Sequence, residues 1–277
     1  MRPRVALATC AAMPDLDDDG PLLLAALEAA GVDASVRAWD SGTDWSSYDL
    51  VVVRSTWDYV QRHEEFLAWS RTVPRLANPA TVLAWNTDKR YLAELEAAGV
   101  PVVPTVFVAP GEPFTPPAYE HVVKPTVSAS ARDTVRFAAG ADSSRHAAAL
   151  LGAGRHVMVQ PYQAGVDELG ETAVLWFDGA HSHAARKGPV LGPGAGHPDD
   201  VAITPREASV AELDVASRAL ASVPGGPLLY ARVDLVPGPD GTPVLMELEL
   251  TEPSLFLAAS VGAADRFADA VAGWSVS

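Results

Sequence analysis

The feature that most constrains this chain is a pair of alternating charged and apolar segments, residues 230–236 and 244–250. Such alternation is typical of β-strands, in which successive side chains point to opposite faces. Asp240-Gly241 lies midway between the segments and is a favoured dipeptide for a hairpin turn. The sequence therefore predicts an antiparallel hairpin with its charged residues on one face.

A register symmetric about this turn pairs Asp234 with Glu247 and Arg232 with Glu249. Cross-strand neighbours lie roughly 5 Å apart, so three carboxylates and one guanidinium converge on one patch. Crowded carboxylates repel one another unless a cation lies among them, and Mg²⁺ prefers oxygen ligands. The pattern leaves two interpretations open: a metal site on Asp234, Glu247 and Glu249, or the solvated outer face of a sheet.

The charge balance excludes several classes of partner. The chain has 277 residues and a net charge of −15, which argues against nucleic acid and against a polybasic membrane contact. The single cysteine, Cys10, excludes an intrachain disulfide and fits a reducing compartment. The apolar residues 5–8 are too few for a signal-peptide core, and no apolar run reaches the roughly 18 residues of a membrane span. We expect a cytoplasmic protein.

Strand and helix patterns alternate in the first part of the chain, which predicts a small parallel sheet with connecting helices. The predicted elements there are strands at 5–8, 32–39 and 50–53 and helices at 22–30 and 63–71. A helix is expected from Thr87 or Asp88 to Ala98, and strands dominate from residue 102 to residue 186. A further helix is expected over 205–222. Residues 187–202 hold four glycines and three prolines, which indicates a functional flap.

Three further segments are candidates for ligand binding. Lys124, one of only three lysines, ends an apolar strand and precedes a loop of small residues, a setting that suits a phosphate. Pro161 interrupts the strand 157–160, which leaves backbone groups free to pair with the edge of an adenine. Residues 54–58 follow a predicted parallel strand, where open α/β sheets bind ligands. A surface lysine, an ordinary strand exit and a capping loop are the respective alternatives.

In chain order, these motifs resemble the ATP-grasp superfamily, in particular its glutathione-synthetase-like branch. The resemblance runs from Asn78-Pro79 and Asn86-Thr87-Asp88-Lys89, through Lys124-Pro125 and Gln160-Pro161-Tyr162-Gln163, to the acidic hairpin. Segments 51–59, 83–91 and 246–256 resemble the O-ureido-D-serine cyclo-ligases of that superfamily. The resemblance implies an α/β (α+β) fold in which an N-terminal parallel α/β domain, residues 1–85, precedes two α+β subdomains, 86–160 and 161–277, that clasp ATP.

The resemblance also assigns roles to individual residues. ATP binding falls to Lys89, Lys124, Gln160, Pro161, Tyr162, Gln163, Glu171 and Arg186, and catalysis to Lys124, Arg186 and Arg232. The metal ligands are Asp234, Glu247 and Glu249, the last where an asparagine is more usual. The substrate residues are Arg54, Ser55, Thr56, Asp58, Glu252 and Ser254.

The implied activity is an ATP-dependent carboxylate–amine ligation through an acyl-phosphate. The resemblance favours cyclisation of D-O-aminoserine or O-ureido-D-serine to D-cycloserine. The alternatives are an intermolecular amino-acid or peptide ligase, a kinase, and a nucleotide-binding protein without ligase activity. The implied cofactors are ATP and Mg²⁺, with two ions and Mn²⁺ as a substitute. The partner is a small amino-acid-like substrate, and a homodimer is left open.

Overall fold

A parallel sheet forms the first part of the protein. The structure, a computed structural model, describes residues 2–192 and 201–276. The parallel strands of this sheet pair in the order β2–β1–β3–β4, which confirms the predicted parallel sheet. Its elements are β1 (Arg4–Thr9), α1 (Gly20–Ala29), β2 (Asp33–Ala38), β3 (Leu50–Val53), α2 (His63–Thr72), β4 (Leu76–Ala77) and α3 (Ala80–Asn86).

An antiparallel sheet occupies the middle of the chain. Its strands pair in the order β5–β8–β6–β7, and a small apolar cluster, to which Ala147, Leu150 and Val159 belong, packs α5 against them. The helix expected from residue 87 starts later, because α3 runs on to Asn86 and the chain turns before α4. The elements are α4 (Tyr91–Ala97), β5 (Val106–Val108), β6 (His121–Pro125), β7 (Val135–Phe137), α5 (Ser144–Gly152) and β8 (Val157–Pro161).

A larger antiparallel sheet, in the order β11–β10–β9–β12–β13, completes the fold. The helix predicted from residue 205 was wrong at its start, since residues 203–206 pair with β10 and Ser209 caps α7 in a capping box with Glu212. The elements are α6 (Gly165–Leu169), β9 (Glu171–Phe177), β10 (Ala180–Lys187), β11 (Ile203–Arg206), α7 (Val210–Ala221), β12 (Tyr230–Pro237), β13 (Pro243–Glu249) and α8 (Ala263–Ser275). Half of the predicted flap, residues 193–200, lies outside the described residues.

The predicted register of the acidic hairpin is confirmed. Asp234 pairs with Glu247 and Arg232 pairs with Glu249 in the β12–β13 ladder. Nearer the turn the register shifts by one residue, so that Leu235 faces Leu245 instead of Met246. The extra residue, Met246, forms a β-bulge on the turn side of the charged pairs, and this bulge restores the predicted register for them.

The outer edge of β13 bonds the backbone of residues 101–103 at Leu245 and is covered by side chains further along. The Asn86 amide donates to the Leu248 carbonyl and accepts from the Leu250 N–H, and the Tyr91 hydroxyl bonds both backbone groups of Leu248. Asn78 does the same for Leu229, Tyr230 and Leu250. Both asparagines of the sequence are therefore buried and hydrogen-bond backbone groups at strands of the large sheet.

The apolar core couples the first part of the chain to the last. One cluster joins Leu7 and Leu27 of the N-terminal sheet and α1 to Leu175 of β9 and Phe267 of α8. A second packs α4 and α7 on the outer face of β12 and β13. Among the described residues, no helix is both long and apolar enough to cross a membrane. The domain division 1–85, 86–160 and 161–277 stays a prediction; α4 packs on the third sheet.

We expect Asn86→Ala to lower the free energy of unfolding by about 1–3 kcal/mol, because it leaves the buried Leu250 N–H without a partner and removes one of the two side-chain bonds to the Leu248 carbonyl. Chemical denaturation measures the loss. Ser222→Ala is the matched control, since it removes one exposed hydrogen bond to Arg218. Equal stability of the two variants would contradict the edge-covering role.

Candidate active site

One cavity of about 980 Å³ lies where the three sheets meet. The carboxyl end of the N-terminal sheet contributes Trp57 and Tyr59, the middle sheet contributes Lys124 and Gln160, and the large sheet contributes its charged face. The cavity therefore collects seven of the eight predicted ATP residues, two of the three metal residues and two of the six substrate residues.

Strand register places the charged residues of the large sheet on one face. Ala185, Ala173, Asp234 and Glu247 lie opposite one another on neighbouring strands, so their side chains share a face. Counting two residues along each strand adds four more side chains to that face: Glu171, Lys187, Arg232 and Glu249. We call this face the floor of the cavity: Glu171, Lys187, Arg232, Glu247 and Glu249 line the cavity, and Asp234 lies fully buried behind them.

The floor is held by ion pairs between side chains of the protein. The Lys187 ammonium lies 2.6 Å from Glu171 and 2.9 Å from Asp234, while Lys89 lies 3.1 Å from Glu247. The Arg232 guanidinium bonds Asp234 at 2.9 Å and also bonds Glu249. Each carboxylate of the floor has a cation, so the crowding seen in the sequence is balanced inside the site.

Burial and charge shift the pKa values of these groups in opposite directions. Burial raises the pKa of Asp234, but Arg232 and Lys187 outweigh it and lower the pKa to about 2. Burial, with repulsion from Asp234 and Glu247, raises the pKa of Glu249 to about 7 despite Arg232. Near neutral pH, Asp234 is therefore fully ionised, whereas Glu249 is ionised only in part.

Lys124 projects into the same cavity from the end of β6. Burial lowers its pKa, against the attraction of Glu247. In the described part of the chain, no carboxylate lies within 4.0 Å of its ammonium, unlike Lys89 and Lys187. A buried ammonium without a carboxylate partner favours an anionic ligand.

The floor carboxylates fit a hard divalent cation by their chemistry. Asp234, Glu247 and Glu249 offer only oxygen donors from two paired strands, the donor set that Mg²⁺ prefers. Among residues 2–192 and 201–276, no three His, Cys, Asp or Glu side chains are already grouped as a metal site. The reason is that the three carboxylates point at Lys187, Lys89 and Arg232. The donor set fits, and a metal ion would have to replace these lysine and arginine contacts.

The predicted adenine segment follows β8 along the cavity wall. The Gln160 side chain bonds Thr105, the Gln163 side chain bonds the Pro161 carbonyl, and the Tyr162 N–H bonds the Glu120 carbonyl. The Tyr162 ring also lies under the Arg136 guanidinium, 3.4 Å from the ring centre. These contacts hold the wall at the end of β8 in one shape.

The segment after β13 is fixed by side chains from four parts of the chain. Five successive carbonyls, residues 251–255, each accept a side-chain hydrogen bond of 2.8–3.2 Å. In order, the donors are Tyr230, Trp57, Arg54, Arg232 and His183. Asp19, instead of capping α1 through its side chain, accepts the N–H groups of Leu255 and Leu257. Glu252 and Ser254 are therefore presented to the cavity from a rigid support.

Four predicted substrate residues lie behind the cavity wall. Arg54, Ser55 and Thr56 are fully buried, and the Arg54 guanidinium bonds Pro253 and lies 3.7 Å from Asp17. Asp58 accepts from the Trp39 indole instead of facing the cavity. Their place at the end of β3 is as predicted, but they support the wall and do not line it.

Arg186 needs a correction. It pairs with Thr172, which pairs with the buried Leu235, so Arg186 lies on the face opposite the floor and bonds the Glu168 carbonyl. The next residue, Lys187, is the cation that enters the cavity. The sequence offered one indication that Lys187 is functional, since it is one of only three lysines. It offered no indication that Tyr59 also lines the cavity.

Comparisons with known proteins agree with this geometry. Residues 5–78 match the family model "D-cycloserine synthetase DcsG, N-terminal domain". The chain is 43% identical to the cycloserine biosynthesis protein DcsG of Streptomyces lavendulae, over 97% of each sequence. The crystal structure of D-cycloserine synthetase DcsG superposes with a TM-score of 0.90 at 41% identity, covering 98% of this chain and 99% of the other. D-alanine–D-alanine ligase from Bacillus anthracis superposes with a TM-score of 0.68 at 14% identity, covering 99% and 97%.

The fold and the charged cavity define an ATP-grasp ligase, as the sequence predicted. The chain belongs to the D-cycloserine synthetase (DcsG) family.

We expect Lys187→Met to lower kcat for ADP formation at least about 100-fold, as for the loss of one preorganised charge in an active site. Arg186→Met, the matched control on the other face of β10, changes kcat less than about threefold. Steady-state ADP release measures both. Equal losses in the two variants would contradict the placement of Lys187 on the floor.

A second prediction concerns Glu252 and the change of thermal stability with pH. Burial, then repulsion from Glu249, raises the pKa of Glu252 from 4.5 to about 8. Its contribution to stability is therefore full below pH 4.5 and is lost as pH rises through about 8. Without ligand, the Tm of Glu252→Gln should fall less than that of the native protein between pH 5 and 8.5, by about 3 °C. Glu96→Gln, on the exposed side of α4, should follow the native curve.

Proposed function

We propose that this chain uses ATP and Mg²⁺ to close the ring of D-cycloserine. Support comes from one relative that is named a cycloserine biosynthesis protein and from one similar solved structure that is named a D-cycloserine synthetase. The proposed substrate is D-O-aminoserine or O-ureido-D-serine, a small amino acid with its carboxylate and its nitrogen nucleophile in one molecule. With O-ureido-D-serine, the carbamoyl group on that nitrogen must also be hydrolysed, with one water consumed and CO₂ and NH₃ released.

The observation that supports ATP binding is the position of the three lysines. The sequence has 20 basic residues but only three lysines, and Lys89, Lys124 and Lys187 all line one cavity. An acidic protein that concentrates its compact ammonium groups opposite a row of carboxylates is suited to a metal–triphosphate complex. With Gln160–Gln163 beside them, the lysines would hold the phosphates while that wall holds the adenine.

On binding, the ion pairs of the floor would exchange partners. Lys89 and Lys187 would leave Glu247 and Asp234 for phosphate oxygens, and the released carboxylates, with Glu249, would hold Mg²⁺. We propose two ions, with Mn²⁺ able to substitute, because three carboxylates supply enough oxygen donors for a shared site. Mg²⁺ would neutralise charge on the transferred phosphoryl group. Glu171, freed from Lys187, would be available to the ribose.

The residues of the chain then support two chemical steps. An oxygen of the substrate carboxylate attacks the γ-phosphorus and ADP leaves, which gives an acyl-phosphate. The substrate nitrogen attacks the acyl carbon, phosphate leaves with the bonding electrons, and the nitrogen loses a proton. Arg232 and Lys124 would stabilise the developing negative charge. The predicted flap would exclude water, which hydrolyses acyl-phosphates.

The substrate would lie beside Glu252 and Ser254, at the N-terminal end of the cavity. Arg54, Ser55, Thr56 and Asp58 would act behind it by holding the wall. Arg186, which lies outside the cavity lining, has no direct role here. A homodimer and a cytoplasmic location remain predictions of the sequence.

The test is to incubate the protein with Mg²⁺, ATP and D-O-aminoserine, and to follow ADP release and product mass. The proposal expects one ADP for each product molecule, and a product lighter than D-O-aminoserine by one water. Asp234→Asn should abolish both signals while the protein stays folded. ADP release with a heavier, joined product would contradict ring closure, and no ADP release would contradict the ligase activity on this substrate.

A further inference from the structure

The carboxylates that line the cavity differ in whether they have a partner. Glu171, Glu247 and Glu249 each have a cation of the floor. At the N-terminal end, Asp17 lies beside Arg54 and Asp19 accepts two backbone N–H groups. Asp18 is exposed to solvent. Within the described part of the chain, Glu252 is the cavity carboxylate that is sheltered from solvent and has no cation within 4.0 Å.

The surroundings of Glu252 are built for a ligand. Its carbonyl is fixed by the Trp57 indole, and the next carbonyl is fixed by the buried Arg54. The Tyr59 hydroxyl faces its carboxylate and favours the charged form. Backbone and side chain are thus held in place by residues of the N-terminal sheet, so little freedom is lost when a ligand binds.

Charge divides the cavity into two ends. The three lysines and Arg232 lie among the floor carboxylates, with Arg232 also over the Phe256 ring, whereas Glu252 lies beside Trp57 and Tyr59. A sheltered carboxylate among aromatic side chains is a site for an organic cation, because the rings and the carboxylate both attract positive charge.

We propose that Glu252 is the receptor for the α-ammonium group of the substrate and thereby restricts the enzyme to free α-amino acids. This inference rests on the proposed function for the place of the substrate. An α-amino acid carries its ammonium and its carboxylate on one carbon, so the receptor for the first must adjoin the site of phosphorylation. Glu252 follows Glu249 of the floor by three residues and interacts with it electrostatically.

The electrostatics around Glu252 agree with this role. Burial and Glu249 raise the pKa of Glu252, while Tyr59 and Lys89 lower it and Glu247 raises it. A carboxylate that is destabilised by these neighbours gains most from a cation brought by the ligand. Glu252 also raises the pKa of Tyr230, but the Tyr230 hydroxyl bonds the Val53 and Thr251 carbonyls.

The test compares two ligands that differ only in the α-ammonium: D-O-aminoserine and 3-(aminooxy)propanoic acid. Their Kd values are measured by calorimetry in the presence of Mg²⁺ and a non-hydrolysable ATP analogue, so that the comparison does not depend on turnover. In the native protein, we expect the amino acid to bind at least about 100-fold more tightly, because a site built for a polar group rejects analogues that lack it.

Glu252→Gln should reduce this ratio to below about 10, through weaker binding of the amino acid, and leave the Kd of the propanoic acid within about threefold. Asp18→Asn, the exposed acid at the same end, is the matched control and should keep the native ratio. Unchanged binding of the ATP analogue shows that the Glu252→Gln variant is folded.

Three results would overturn the inference: an unchanged ratio in Glu252→Gln, an equal loss of affinity for both ligands, or no binding of D-O-aminoserine to the native protein. None of these is the failure of ring closure, which is read from the product mass. A protein that binds the amino acid through Glu252 but makes no cyclic product would retain the receptor and lose the proposed reaction.

Discussion

The strand register of the large sheet fixes the position of every charged group on the cavity floor. Asp234 faces Glu247 and Arg232 faces Glu249, and β9 and β10 add Glu171 and Lys187 to the same face. A slip of one residue would turn these side chains into the apolar core. Asn86 and Tyr91 bond the backbone of β13 at Leu248 and Leu250 and so oppose such a slip. The same contacts that satisfy an edge strand therefore position the site.

The charged side chains of the floor are balanced by ion pairs with one another. Lys187 between Glu171 and Asp234, and Lys89 beside Glu247, keep buried charges compensated. A metal–triphosphate complex presents the complementary pattern, with cation and anions together. Binding would then be an exchange of partners at nearly constant net charge, which avoids leaving any buried charge alone. The segment after β13, held by five side-chain donors, keeps Glu252 in place during that exchange.

The pairing of the charged residues was predicted correctly, although the pairs next to the turn, Val236 with Val244 and Pro237 with Pro243, lie one residue off the predicted register. The bulge restores that register at Asp234 and Arg232. The bulge at Met246 left no local signal, since its position depends on how the ladder meets the turn. Register also explains Arg186 and Lys187, whose faces are set by pairing with β9. A register shift between His181 and His183 interrupts the alternation of β10, so counting along the sequence alone cannot assign a face.

Long-range contacts were the second limit. The resemblance placed Arg54 to Thr56 at the substrate, yet their burial under Pro253 follows from contacts about 200 residues apart in sequence.

The most direct test of the partner exchange is a crystal structure with Mg²⁺ and a non-hydrolysable ATP analogue. It should show the metal on Asp234 and Glu247, with Lys89 and Lys187 moved to phosphate oxygens. Lysines still paired with Glu247 and Asp234 in a nucleotide-bound crystal would contradict it.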